Sequence, residues 1–184
     1  MKVWILIFVC MFSMPLLVAV LHFKMRKGQI LKIKQDYVKN ARYFGLSFSS
    51  LVEKALPEMK NGMIMLSRQE KVLETDGKQE FVQPEIEDLV IARNTIFCPQ
   101  QEDLHFQKEI YSEKDALFVK ENIRLRAVYS KKRLLLGNKI RLLRWADAEH
   151  AVAVYDECDL GERVSSGEQL VIGFENVFHS LYAP

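Results

Sequence analysis

The sequence predicts an all-β fold, a parallel β-helix solenoid, preceded by an amino-terminal transmembrane helix and a short α-helical juxtamembrane segment. Three observations carry that prediction. Six segments from Asp88 onward align with one another, each opens on an i, i+2 pair of apolar residues, and the later segments recur every 17 or 18 residues. The segments are DLVIARNTIF, DLHFQKEIY, ALFVKENIRL, RLLLGNKIRL, AVAVYDECDL and QLVIGFENVFH. Their leading pairs are Leu89/Ile91, Leu104/Phe106, Leu117/Val119, Leu134/Leu136, Val152/Val154 and Leu170/Ile172. A further apolar residue follows at Ile96, Ile110, Ile123, Ile140, Cys158 and Val177, and in three segments another at Leu125, Leu142 and Leu160.

An i, i+2 pair sets two side chains on one face of a strand. The gap that follows turns the chain through a corner, and the next pair faces the same axis. Val128, Ala146, Val164 and Leu181 mark a third face. Three short strands per coil, repeated by stacking, make a parallel β-helix in which each coil buries its face only against neighbours. Gly137, Asn138, Asp156, Asn122 and Asn176 fall at corners, where tight turns are needed. An ordinary mixed sheet would need hairpin turns such as Asn-Gly, which the repeat region lacks, and would not produce the spacing. Leu136, Ile140, Val154 and Ile172 are expected to point inward, and Arg133 and Arg141 outward.

The expected organisation is a transmembrane anchor over 1–23, basic juxtamembrane helices over 24–62, short strands and a linker over 63–87, and the β-helix over 88–184. Val3 to Phe23 is an apolar run. At 1.5 Å rise per residue it can cross a hydrocarbon core of about 30 Å. A cleaved signal peptide would carry a shorter apolar core and small residues at a cleavage site. Here Lys24, Arg26, Lys27, Lys32 and Lys34 follow instead. That basic flank places the bulk of the chain on the cytosolic side of a single span. Between Lys24 and Lys60 there are nine Lys/Arg against three Asp/Glu, and acid exceeds base thereafter. Such a segment fits the anionic surface of a membrane. Nucleic acid is not an expected partner, since no aromatic-interleaved basic motif is present. Cys98 and Cys158 follow no metal-ligand spacing and read as reduced, partly buried thiols.

Ile30, Ile33 and Tyr37 suit one helical face. FGLSFSSLVEKALPEMKNG predicts a second helix, with Ser50 and Glu53 as a capping box and Phe48, Leu51, Val52, Ala55 and Leu56 as its buried stripe. Pro57 and Gly62 mark its end. MIML and EKVLET read as two short strands around Ser67 to Gln69.

Catalytic signatures are weak. An acyltransferase built on hexapeptide repeats would also use coils of this length, with a histidine as general base. The candidates are His105, His150 and His179, but only LGNKIR and IGFENV approach the hexapeptide rule. Alternation turns His105 outward. RWADAEH gathers Arg144, Trp145, Asp147, Glu149 and His150 at a corner; a tryptophan under a stacked arginine is favoured there over a metal or acid–base site. No Gly-rich phosphate loop, G-x-S-x-G elbow or paired-cysteine site is present. No catalytic residue, cofactor, metal or small-molecule substrate is predicted.

The pattern from Asp88 to Pro184, most clearly RLLLGNKIRLLRWADAEH and QLVIGFENVFHSLYAP, resembles the bactofilins, or polymer-forming cytoskeletal proteins. That resemblance implies a scaffold without catalytic residues, assembling at the inner face of the bacterial inner membrane with its β-helix in the cytoplasm. A platform for envelope-polysaccharide enzymes is the other structural reading. The chain has fewer corner glycines and fewer coils than typical members. The homo-oligomeric interface is expected on the last coil, at Leu170, Ile172, Val177, Phe178 and Leu181. The helix around Phe48 to Leu56 is expected to cover the amino-terminal end of the solenoid, which would favour a tail-to-tail dimer over an endless filament.

Overall fold

The computed structural model describes Trp4, Phe8, Met11, residues 13–15, Val18, residues 40–76, Phe81, and residues 83–97 and 103–184. The chain forms two compact units, Met1–Lys34 and Gln35–Pro184. Described residues of the first unit are helical and exposed. Among the described residues no helix is long and apolar enough to cross a membrane. The expected span as a whole, the basic residues Lys24, Arg26, Lys27, Lys32 and Lys34, and the first juxtamembrane helix lie outside the described residues.

The second unit is a parallel β-helix of about six turns with one α-helix on its flank. Helix α1 (Tyr43–Ala55) runs into a single 3-10 turn, Leu56–Glu58. The strands are β1 (Met63–Met65), β2 (Gln69–Thr75), β3 (Glu85–Ile86), β4 (Leu89–Ala92), β5 (Ile96–Phe97), β6 (His105–Ser112) and β7 (Ala116–Phe118). They continue as β8 (Arg124–Ser130), β9 (Arg133–Leu136), β10 (Arg141–Ala148), β11 (Ala151–Val154), β12 (Arg163–Ser166), β13 (Gln169–Ile172) and β14 (Leu181–Tyr182). One sheet runs β1-β2-β4-β6-β8-β10-β12-β14, with β3 also beside β6; the other runs β13-β11-β9-β7-β5. Every pairing of these strands is parallel except β1 with β2.

The repeat is 18 residues where the stack is most regular. Ala116 sits on Leu134, Leu134 on Val152, and Val152 on Leu170. Ile110, Val128, Ala146 and Val164 stack likewise inside the larger sheet. Leu125, Leu142 and Leu160 fill the remaining wall, and all these residues share one core with Leu136, Ile140 and Val154. Arg133 and Arg141 are exposed, as alternation requires. The second and third faces are not separate strands. They are two halves of single bent strands, β6, β8 and β10, with register shifts at the bend. β8 spans from Leu125 to Val128 where β10 needs Leu142 to Ala146, so one residue is left unpaired at the corner.

Three leading pairs sit differently from expectation. Ala116 and Phe118 point inward, whereas Leu117 is half-buried and Val119 is exposed. In ALFV both alternations are apolar, so only stacking on Leu134 and Leu136 selects the phase. Leu104 and Phe106 do point inward, but β6 places Phe106 on Leu125, on the second wall rather than the first. β4 belongs to the third face, with Val90 and Ala92 inward and Leu89 and Ile91 outward. The parallel stack also begins earlier than Asp88, because β2 is itself a rung beneath β4. The two short strands expected around Ser67 to Gln69 are present as β1 and β2.

Corners carry left-handed backbone at Asn122, Lys139, Glu157 and Glu175, with φ between 55° and 60°. The strained residue is the one after Asn138 and after Asp156. The corner side chains hold neighbouring rungs instead: Asn138 Oδ1 accepts from the Asp156 N–H, and Asn176 Oδ1 from the Cys158 N–H. A Cβ at Gly137 would lie 2.8 Å from the Val119 carbonyl oxygen, so glycine is needed there for close approach rather than for its φ.

Helix α1 begins at Tyr43, earlier than the capping box predicts. Ser50 is exposed within the helix, and Ser49 instead bonds Glu53. Phe48, Val52, Ala55 and Leu56 face the sheet, while Leu51 is exposed. The helix does not cover the amino-terminal end. It lies along the third face, against Leu89, Ile91, Tyr111, Ala127, Tyr129 and Trp145, because the outward positions of these rungs are apolar. The amino-terminal edge of the larger sheet is covered by β1, an antiparallel strand entered through a tight turn at Asn61 and Gly62, with φ 52° and 69°, and returned to β2 through residues 66–68.

Candidate functional site: the open carboxy-terminal coil

The last coil is built from β13 and β14, the terminal strands of the two sheets. Among the described residues nothing pairs with their outer edges. Leu170, Ile172 and Leu181 pack against the core but stay half-buried, and among the described residues no rung lies over them. Val177 and Phe178 are exposed, at 68% and 52%. The five residues singled out by sequence therefore do share this end of the solenoid. Val177, however, stands on Asp159 rather than on Cys158, and Asn176 takes the rung above Cys158. Sequence reasoning missed Phe174, Val171 and Tyr182, which are 81%, 51% and 40% exposed on the same coil. For Val171 the signal was alternation, since it lies between inward Leu170 and Ile172; Phe174 stands at the corner, on the rung of Asp156. An unpaired edge next to exposed apolar side chains is a template for another chain.

RWADAEH does not form one cluster. Trp145 is buried and meets Phe48 edge-on, with ring centroids 5.6 Å apart, and among the described residues no arginine is stacked on it. The stacked cations lie elsewhere, Arg163 over Phe44 and Lys131 over Tyr111. Asp147 is buried and accepts from Arg42 Nε and Nη2, each at 2.9 Å, and from Ser165 Oγ at 2.6 Å. Burial pushes its carboxyl upward, against the pull of Arg42 and Ser165. Glu149 takes the Tyr129 hydroxyl at 2.6 Å, and His150 meets Glu168 at 2.6 Å. His179 is exposed on the last coil, and His105 is half-buried in β6. Among the described residues no group of three or more His, Cys, Asp or Glu could hold a metal. Cys158 is buried with Sγ 3.0 Å from the Gly137 carbonyl, and burial pushes its thiol up.

Polar bonds fasten α1 to the flank. Glu53 meets Lys131 Nζ at 2.9 Å, Ser49 Oγ at 3.1 Å and the Tyr111 hydroxyl at 3.2 Å. The Lys131 ammonium, chiefly, holds the Glu53 carboxyl below its usual 4.5. Burial pushes the Tyr111 hydroxyl up to about 12, so it stays protonated and donates. A depressed carboxyl contributes stability above its unfolded pKa and loses it as pH falls through the folded value. Acidification below pH 4.5 should therefore loosen α1 before the solenoid melts. Hydrogen exchange of α1 amides should rise there ahead of β8 and β10 amides, and Glu53→Gln should remove most of that pH dependence.

Fold and site define a class: a short parallel β-helix with a helix-covered flank, a strand-closed amino-terminal edge and an open carboxy-terminal coil. No family model, curated protein or solved structure matches the chain.

Proposed function

We propose that this chain is a membrane-anchored scaffolding protein of bactofilin-like type that self-associates through its carboxy-terminal coil. The observation that carries the reading is the last rung, where two unpaired strand edges adjoin exposed Phe174, Val177 and Phe178. A solenoid of this kind ordinarily needs a polar terminal repeat to remain soluble as a single copy. The apolar run Val3 to Phe23 and the basic residues behind it supply the tether and favour the cytoplasmic face of an inner membrane for the β-helix. The scaffold reading is favoured over a tethered acyltransferase because only LGNKIR and IGFENV approach the hexapeptide rule.

The test is sedimentation equilibrium of the full chain in mild detergent across a concentration series. Wild type should form dimers or larger species at micromolar concentration. Val177→Lys, which alters an exposed side chain and leaves the core intact, should shift it to single copies. A wild-type chain that stays single at the highest concentration reached would remove self-association from the reading.

A further inference from the structure

Charge is separated along the solenoid. Residues 104–144 carry eleven Lys/Arg and four Asp/Glu, a net +7, whereas residues 145–184 carry one and eight, a net −7. The middle coils are basic and the last coils acidic. A tail-to-tail contact would press two −7 segments together, and like charges facing each other oppose association.

The second face shows how the two segments can meet. Its outward rungs stack His105, Arg124, Arg141, Asp159 and Val177 in register, one above the other. Rungs are spaced by about 4.8 Å. Arg124 has no carboxylate in salt-bridge range among the described residues. Arg141 reaches Asp159 only at 3.8 Å, and both side chains are more than half exposed. Leu143, 63% exposed, lines the same shallow groove as Arg124 and Arg141. The face thus offers accessible guanidinium groups, an apolar side chain, and at its far end a carboxylate followed by exposed Val177.

We infer that the carboxy-terminal coils dock on a second copy of this chain lying alongside and antiparallel, its acidic last coils against the basic middle coils of the first. This rests on the self-association reading above. A two-fold axis between the Arg141 and Asp159 rungs brings Arg141 of each copy opposite Asp159 of the other. The same axis sets Val177 of each against the aliphatic stem of Arg124 of the other. Each contact occurs twice, so the pair is closed and self-complementary. Opposite charges meet at the two central contacts, and the Val177 contacts flank them on either side.

The experiment uses the full chain in detergent, with sedimentation equilibrium as readout. Arg141→Glu and Asp159→Arg alter exposed side chains; each variant alone should dimerise about tenfold or more weakly than wild type, because each then faces like charge twice. Mixed together they should restore a heterodimer. The carboxylate introduced at position 141 of one chain then faces the guanidinium introduced at position 159 of the other, and the unaltered Arg141 and Asp159 face each other across the second contact. Raising salt from about 0.1 M to about 1 M shortens the screening length from about 10 Å to about 3 Å and should weaken the wild-type dimer. Met65→Lys, an exposed position on β1 at the other end of the solenoid, should leave it unchanged. Association that strengthens with salt and ignores both charge reversals would overturn the antiparallel pair while leaving end-to-end self-association standing. A wild-type chain that is single at low salt would overturn both.

Discussion

Leu136→Asp is expected to abolish the cooperative unfolding transition of the solenoid. Leu136 is fully buried and stands in register between Phe118 and Val154 in the smaller sheet. Removing a buried leucine costs about 2–5 kcal/mol. Leaving a carboxylate unpaired among Leu134, Ile140 and Val154 costs several kcal/mol more, or forces it to protonate. The sum is comparable with the whole stability of a domain, on the order of 5–15 kcal/mol. Arg133→Asp, on the same strand, is the control. Arg133 is exposed, but its Nη2 lies 2.7 Å from Asp115 Oδ2 and its N–H bonds the same carboxylate. The change trades an ion pair between a 68% exposed guanidinium and a 14% exposed carboxylate for two neighbouring carboxylates, at a cost of about 1–3 kcal/mol, below that expected for Leu136→Asp. Thermal melts followed by far-UV circular dichroism separate the two. Similar midpoints for both variants would contradict the inward and outward assignment of β9.

The second large effect is expected at the joint between α1 and β10. Arg42→Ala should release the helix from the flank, with a loss of about 3 kcal/mol or more. The variant strands Asp147, which is 1% exposed and keeps only Ser165 as a side-chain partner. Asp147→Ala should cost less, because the Arg42 side chain is 16% exposed and can turn to water. The sign of the pH dependence follows from burial. Asp147 already has a raised pKa, and removing Arg42 raises it further. A raised group contributes stability below its unfolded pKa and loses it as pH rises through the folded value. The Arg42→Ala defect should therefore shrink on acidification. Trp145 reports the event, since it is 5% exposed beneath Phe48. In a Trp4→Phe background its emission should move to longer wavelength while the β-sheet dichroism persists. Unchanged Trp145 emission in Arg42→Ala would show that packing of Phe48 and Val52 holds the helix without the ion pair. Gly45→Ala should act in the same direction, because its Cβ would overlap the Asp147 side chain.

The later coils were legible because their two alternations differ chemically. In RLLLGNKIRL, charge at Arg133 and Arg141 leaves one phase for Leu134, Leu136, Ile140 and Leu142, and that phase is the one that stacks. In LVIA and ALFV both phases are apolar, and the pattern is silent. Leu89, Ile91, Tyr111, Tyr129 and Trp145 are apolar or aromatic on the outward side because a helix lies over them. That surplus of outward apolar residues is the visible trace of the helix's position, and in the bare sequence it is indistinguishable from an imperfect repeat.

Sequence by itself determined the coil length, the identity of the inward residues where neighbours are charged, the existence of α1, the short pair β1 and β2, and the crowding of apolar residues on the last coil. The coil length follows from the recurrence every 17 or 18 residues, and the rest from local periodicity, which a strand or helix expresses through residues two to four positions apart. Only the tertiary structure decided where α1 lies, which phase the ambiguous strands take, and how the bent strands merge two faces into one sheet. It also decided that Asp147 is a buried partner of Arg42, 105 residues away, rather than part of a corner cluster. Such features depend on contacts between rungs and across the flank, whose geometry is fixed by stacking and burial of the whole solenoid and leaves no period in the chain.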